Sequence, residues 1–200
     1  MAKEELNILE STCVPLAMEN VNTDQIMPAR FLKFNLQRAL ATTCSATGDL
    51  TGMEDLFETL SSTTRDTAGK SLVAGKNFGC GSSREHAVWA VYDYGFRVVI
   101  SSFFADIFRN NALNNGLLPL IIPEEEVKSL MTLVTSQPGT IVRINVQERR
   151  MEVPSSGQSF NFEINSYKLE CLVHGLDDID YLINMRSKIA EYETRRGGLG

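Results

Sequence analysis

Residues 75–91 read GKNFGCGSSREHAVWAV, which sets three glycines, two adjacent serines and an arginine against an apolar run. The apolar SLVAG comes just before, so the stretch reads as a strand, a tight loop and the opening of a helix. A loop placed there presents unpaired backbone N–H groups and the positive end of a helix dipole, which together favour an anion. Gly79 and Gly81 would let a ligand approach the backbone closely. Arg84 can grip a carboxylate through two parallel hydrogen bonds, a geometry lysine does not share. A serine held at this point, Ser82 or Ser83, would have its alkoxide stabilised by backbone N–H groups and could act as a base rather than a nucleophile. A plainer account needs no chemistry, because either serine is also a good N-cap by residue type.

The better-known glycine motifs do not fit this loop. GxGxxG needs glycine where Arg84 stands, GxxxxGK[ST] meets Asn77 after Gly75-Lys76, and GxSxG is absent around both serines. Nucleotide binding and a serine-hydrolase elbow are therefore disfavoured. Cys80 has no base placed beside it by sequence and is expected to be a small structural residue. His86, in the first turn of an apolar helix, is expected to support packing or the site's surroundings, and Trp89 to pack. Glu85 suits a helix N-terminus through the dipole alone. Upstream, Asn22, Thr23 and Asp24 can each bond the local backbone in a turn.

These residues need elements to hold them. Residues 7–17, punctuated by Pro15, read as an opening strand or two, SLVAG as a buried strand, and residues 83–94 as a helix stopped by Gly95. FRVVISS, FADIFRNNALNNG and LLPLII then give strand, helix and strand, with Gly116 capping the helix. Pro123 and Glu124 to Glu126 open a further helix, since proline and acids suit a first turn. TIVRINVQERRMEVPSSGQSFNFEI alternates as a meander with PSSG as a turn, and residues 165–196 read as helical with a break at HGLDD. Strands alternate with helices in the middle and pair with each other near the ends. The expected class is α/β with a mixed sheet, in one domain over residues 1–200. Residues 40–70, rich in Ser, Thr, Gly and Asp, are expected to form a long mobile loop.

Composition removes several functions. The 200 residues carry a formal charge of -6, with lysines and arginines scattered, so no nucleic-acid footprint is expected. The four cysteines, Cys13, Cys44, Cys80 and Cys171, form no metal spacing or disulfide ladder and read as reduced thiols. With only His86 and His174 beside them, a self-contained metal site is not expected. No leader or membrane span is visible, and the expected location is the cytoplasm.

NFGCGSSREHAVWAVYDYGFRVVISSFFADIFRNNALNNGLLPL, together with NVNTDQIMPARFL and the later GLDDI, resembles the small subunits of 3-isopropylmalate dehydratase, in the aconitase superfamily. The likeness runs from about Val14 to about Asp180. It implies a swivelling β/β/α domain equivalent to the fourth domain of aconitase. It also implies a hydro-lyase that isomerises 2-isopropylmalate to 3-isopropylmalate through isopropylmaleate in leucine biosynthesis, active only with a large subunit. That subunit is expected to carry the 4Fe–4S cluster, whose Lewis-acidic iron makes the hydroxyl leave, and this chain is expected to bind no cofactor. By the same likeness Ser82 is the base, Ser83 and Arg84 hold a substrate carboxylate, and Gly79, Cys80 and Gly81 supply the backbone cradle. Asp24 orients the serine loop or Arg84; the competing account makes it a turn-forming residue.

The chain departs from the pattern in one place. Aconitases carry a substrate-binding arginine about a dozen residues beyond that aspartate, whereas RFLKFNLQ here places Asn35 or a neighbour there. Arg30, Lys33 and Arg38 are nearby, and none can be assigned by position. The lost arginine fits a substrate with an isopropyl group in place of one carboxylate. Alternatives in the same class are hydratases of homoaconitate, citraconate or dimethylmalate, and outside it a non-catalytic anion-binding domain.

Overall fold

The computed structural model describes residues 4–27 and 69–196. Arg30, Lys33, Asn35, Arg38, Cys44 and nearly all of the loop expected at 40–70 lie outside the described residues. Among those described, the first half runs β1 (Ile8–Leu16), α1 (Thr23–Ile26), β2 (Ser71–Ala74), α2 (Glu85–Asp93), β3 (Val98–Ser101), α3 (Asp106–Asn114), β4 (Leu118–Ile121) and α4 (Glu124–Ser136). β5 (Ile141–Asn145), β6 (Arg150–Val153), β7 (Gln158–Asn161), α5 (Ser166–Val173), α6 (Asp178–Asn184) and α7 (Arg186–Arg195) follow.

The strands join in one sheet of order β4-β3-β2-β1-β5-β6-β7. β1 divides its pairing along its length: Ile8 to Thr12 run antiparallel to β5, and Cys13 to Leu16 run parallel to β2. β2, β3 and β4 continue the parallel side, while β5, β6 and β7 form the antiparallel meander. Pro15 lies in the half of β1 that has lost its β5 partner, and Pro119 lies on the edge strand β4. Both are positions where a missing N–H is tolerated.

Side-chain alternation explains which strands are buried on both faces. Leu72, Ala74 and Val99 face one core with Ala87, Val88 and Val91 of α2 and Phe108 of α3. Val73, Val98 and Ile100 face the other, with Val127, Leu130 and Val134 of α4. Those three α4 residues recur at helical spacing, and each such burial contributes about 1.5–3 kcal/mol. β5 and β6 instead alternate exposed with buried, so the meander is covered on one side.

The helix ends show one departure from expectation. α4 starts after Pro123 with three acids in its first turn, and α2 ends just before Gly95, whose φ is 116°. α2, however, begins at Glu85 with Arg84 at the N-cap and no side-chain cap bond. Neither Ser82 nor Ser83 is the cap, so the purely structural explanation for these serines fails. The C-terminal break falls at Gly175, and Asp177 caps α6 through the N–H groups of Ile179 and Asp180. Neither α6 nor α7 buries a residue, and both leave apolar side chains such as Ile183 and Ile189 exposed.

Candidate active site

Because β1, β2 and β3 run parallel, the loops after them open on one edge of the sheet, where α/β folds commonly bind ligands. Isolated bridges prolong the pairing there: Asn22 pairs with Cys80, and Phe78 with Phe104. Asn20 and Asn77 both take positive φ, 54° and 62°, a conformation asparagine tolerates better than most side chains. Their amides join, with Asn77 Nδ2 donating to Asn20 Oδ1 at 2.8 Å. Buried Ser101 at the end of β3 donates to the Gly75 carbonyl at 2.7 Å. Three loops are thereby tied into one surface.

The single turn of α1 grips every second residue of the glycine-serine loop. Thr23 N–H donates to the Cys80 carbonyl and the Thr23 hydroxyl to the Ser82 carbonyl, each at 2.8 Å. One residue on, the Asp24 carboxylate pairs with Arg84 Nη1, which also lies 3.4 Å from the Met27 carbonyl. Asp24 therefore meets Arg84 through space, and the turn-forming job falls to Asn22, whose Oδ1 accepts from Asp24 N–H at 2.9 Å. Gln25 completes the cap by accepting from Asn22 N–H at 2.8 Å. NTDQ is thus a capping box, a spacing visible in the sequence beyond the turn chemistry of its residues.

The glycines serve packing first. A Cβ on Gly79 would stand 2.2 Å from the Phe108 ring, and one on Gly81 would stand 2.3 Å from Asn22 Oδ1. Both have positive φ, 78° and 89°. The N–H groups of Gly79 and Cys80 both donate to the Val21 carbonyl, at 2.8 and 3.1 Å. They are committed inside the protein, which removes Gly79 and Cys80 from the cradle expected over 79–81 and leaves Gly81. Among the described residues the N–H groups of Gly81, Ser82, Ser83 and Arg84 find no acceptor, so the available donors sit later in the loop.

Gly81, Ser82 and Ser83 are exposed, whereas the Arg84 side chain retains 16% of its accessibility and Asp24 retains 50%. Both Arg84 contacts use Nη1, leaving the rest of its guanidinium without a partner among the described residues. The loop therefore presents two exposed serines and a run of N–H donors, next to a mostly buried guanidinium that keeps an unpartnered edge among the described residues. Such a loop suits a carboxylate, with a hydroxyl beside it.

The remaining expected residues lie as follows. Cys80 is partly exposed, with its thiol donating to the Asn20 carbonyl at 3.2 Å, so it ties loops together. His86 is half-buried against Trp89, with ring centroids 4.5 Å apart. Trp89 is more open than packing alone requires, and its indole N–H donates to Asn115 Oδ1 at 2.9 Å. Asn115 in turn donates to Glu85 at 2.8 Å, tying α3 to α2. Among the described residues no three His, Cys, Asp or Glu side chains are grouped to hold a metal. Cys13 and Cys171 are buried, and burial pushes the Cys13 thiol up to about 12. An iron–sulfur cluster does not fit the ligands described in this chain. No helix among the described residues is long and apolar enough to cross a membrane.

The sequence and the fold both match a known class of domains. Residues 3–125 match the family described as the aconitase C-terminal domain. A small subunit of 3-isopropylmalate dehydratase from Christiangramia forsetii is 42% identical over 195 residues, covering 98% of this chain and 95% of that protein. One from Cytophaga hutchinsonii is 43% identical over 192 residues, covering 95% and 94% respectively. The crystal structure of 3-isopropylmalate dehydratase from Methanocaldococcus jannaschii superposes with a TM-score of 0.66 at 28% identity, covering 92% of this chain and 99% of that one. The chain belongs to the 3-isopropylmalate dehydratase small-subunit family, and its mixed α/β sheet is that family's swivel-domain fold.

Proposed function

We infer that this chain is the small subunit of the hydro-lyase that interconverts 2- and 3-isopropylmalate in leucine biosynthesis, working with a large subunit. Family membership supports the reaction, and one observation supports the site: exposed Ser82 and Ser83 adjoin Arg84, and the N–H groups of residues 81–84 have no acceptor among the described residues. We assign the metal chemistry to a 4Fe–4S cluster on the large subunit, and the pair to the cytoplasm, where free thiols persist.

This chain's residues then have separable tasks. Arg84 and Ser83 hold a substrate carboxylate, using a guanidinium edge, a hydroxyl and a backbone N–H. Asp24 holds the guanidinium on its other side and fixes where that edge points. Ser82 takes the proton from the carbon next to the one that loses hydroxide, and gives a proton back when water adds in the opposite sense. Its alkoxide would be stabilised by the neighbouring N–H donors and by Arg84.

The test is Ser82→Ala in the complex reconstituted with the large subunit, assayed on isopropylmalate and, for comparison, on citraconate and homoaconitate. Turnover is expected to fall about 10²–10⁴-fold, with association unchanged by gel filtration. Near-normal turnover would sink the role given to Ser82, and preference for another acid would move the substrate.

A further inference from the structure

Thr23 is 1% exposed, one of four buried polar residues among those described, with Ser71, Ser101 and Thr140. The other three serve the scaffold, bonding Ser11, the Gly75 carbonyl and the Gln137 carbonyl. Thr23 alone faces the serine pair. Its hydroxyl has one proton and two oxygens in reach, the Ser82 carbonyl at 2.8 Å and Asn22 Oδ1 at 3.4 Å. Asn22 Oδ1 already accepts from Asp24 N–H, so the short contact takes the proton.

That bond does more than satisfy a carbonyl. The Ser82–Ser83 peptide is planar and trans, so its C=O and N–H point in opposite directions. A carbonyl drawn inward to Thr23 sends the Ser83 N–H outward, on the exposed side where it has no partner among the described residues. A flipped peptide would present a carbonyl oxygen there and repel a carboxylate. We propose that Thr23 is a positioning residue whose buried hydroxyl latches this peptide so that the Ser83 N–H stays available to a substrate carboxylate. The proposal rests on the loop being the carboxylate site, as inferred above.

The consequence differs in kind from loss of a base. Without the latch only a fraction of molecules is binding-competent, and apparent affinity falls by that fraction while saturated turnover survives. Thr23→Val keeps the shape and removes the hydroxyl. In the reconstituted complex its KM for isopropylmalate should rise about ten- to a hundredfold, the size set by leaving the part-buried Ser82 carbonyl unpaired, with kcat held within about threefold. Thr23→Ser keeps the hydroxyl and should stay within about threefold of the parent in both constants.

An unchanged KM in Thr23→Val overturns the proposal, as does a Thr23→Ser enzyme whose KM rises more than about tenfold, since packing alone would then explain the residue. The second result stands even if Thr23→Val fails to assemble. If Ser82→Ala keeps its turnover, the base assignment fails whatever Thr23 does. If Ser82→Ala is dead and Thr23→Val binds normally, only the latch fails.

Discussion

Gly81→Ala separates backbone strain from the contacts that organise the site. Gly81 has φ of 89°, and an added Cβ would meet Asn22 Oδ1 at 2.3 Å and Asn22 Cγ at 2.7 Å. Gly139 provides a matched control, with φ of 90° and nothing within 4 Å of the same added atom. Alanine at either position takes on the left-handed penalty of about 1–2 kcal/mol. Only at Gly81 must a neighbour move as well. The Asn22 side chain can swing away, and in doing so it releases the Asp24 N–H and opens the cap of α1, a further cost of about 1 kcal/mol. Gly139→Ala should therefore lower Tm by roughly 2–8 °C and Gly81→Ala by roughly 2–4 °C more than that, at about 2–4 °C per kcal/mol for a chain of this size. Differential scanning calorimetry of the two variants measures the gap. The activity of the complex should fall only for Gly81→Ala, because only that change loosens Asp24 from Arg84. Equal Tm losses together with full activity in both would refute the idea that Gly81 exists to seat Asn22.

Two further outcomes follow from the same geometry. Arg84→Lys keeps the charge but loses the planar edge opposite Asp24, so kcat/KM should fall about ten- to a hundredfold, while Tm shifts by no more than about 2 °C because the ion pair is half open to solvent. A loss of Tm without loss of kcat/KM would make Arg84 structural. Alkylation of the native chain at pH 8, mapped by mass spectrometry, should modify Cys80 before Cys13 or Cys171. Burial pushes the Cys13 thiol up to about 12, so its reactive thiolate forms only as pH climbs towards that value. Early labelling of Cys13 would mean that the strand carrying it opens readily.

The order of strands and helices was legible because burial leaves a period. SLVA and VVIS are buried throughout and apolar but for one serine each, since both faces of the parallel strands are covered, and IVRIN alternates since one face of the meander is open. What the sequence could not show was which backbone donors remain free. The motif GCGSSR looks like one continuous cradle, yet Gly79 and Cys80 spend their N–H groups on Val21, a residue about sixty positions away in the chain. Long-range bonds of this kind leave no local pattern. α2 starts two residues later than its sequence pattern suggests, for a related reason. Ser82 and Ser83 are good caps by type, but the Ser82 carbonyl is drawn to Thr23 and Arg84 to Asp24, which keeps the chain out of the helix until Glu85. Thr23 carried the weakest signal of its motif because threonine in a turn is commonplace, and its importance depends on a partner 59 positions along the chain.

The exposure of the loop bears on why such a site needs a second subunit. A serine hydroxyl gives up its proton reluctantly, and donors open to water lower that cost little, because the same charge interaction weakens severalfold between a sheltered site and bulk solvent. In this chain Ser82 and Ser83 are open, and among the described residues the neighbouring guanidinium of Arg84 is already paired with Asp24. The isolated subunit has placed its donors without the dry surroundings that give them strength. Closure by the proposed large subunit would exclude water from the face at Ser82 to Arg84 and strengthen every donor already aimed there, with no rearrangement of the loop. The bonds from α1 to residues 80, 82 and 84 are then what keeps the loop in place before the partner arrives.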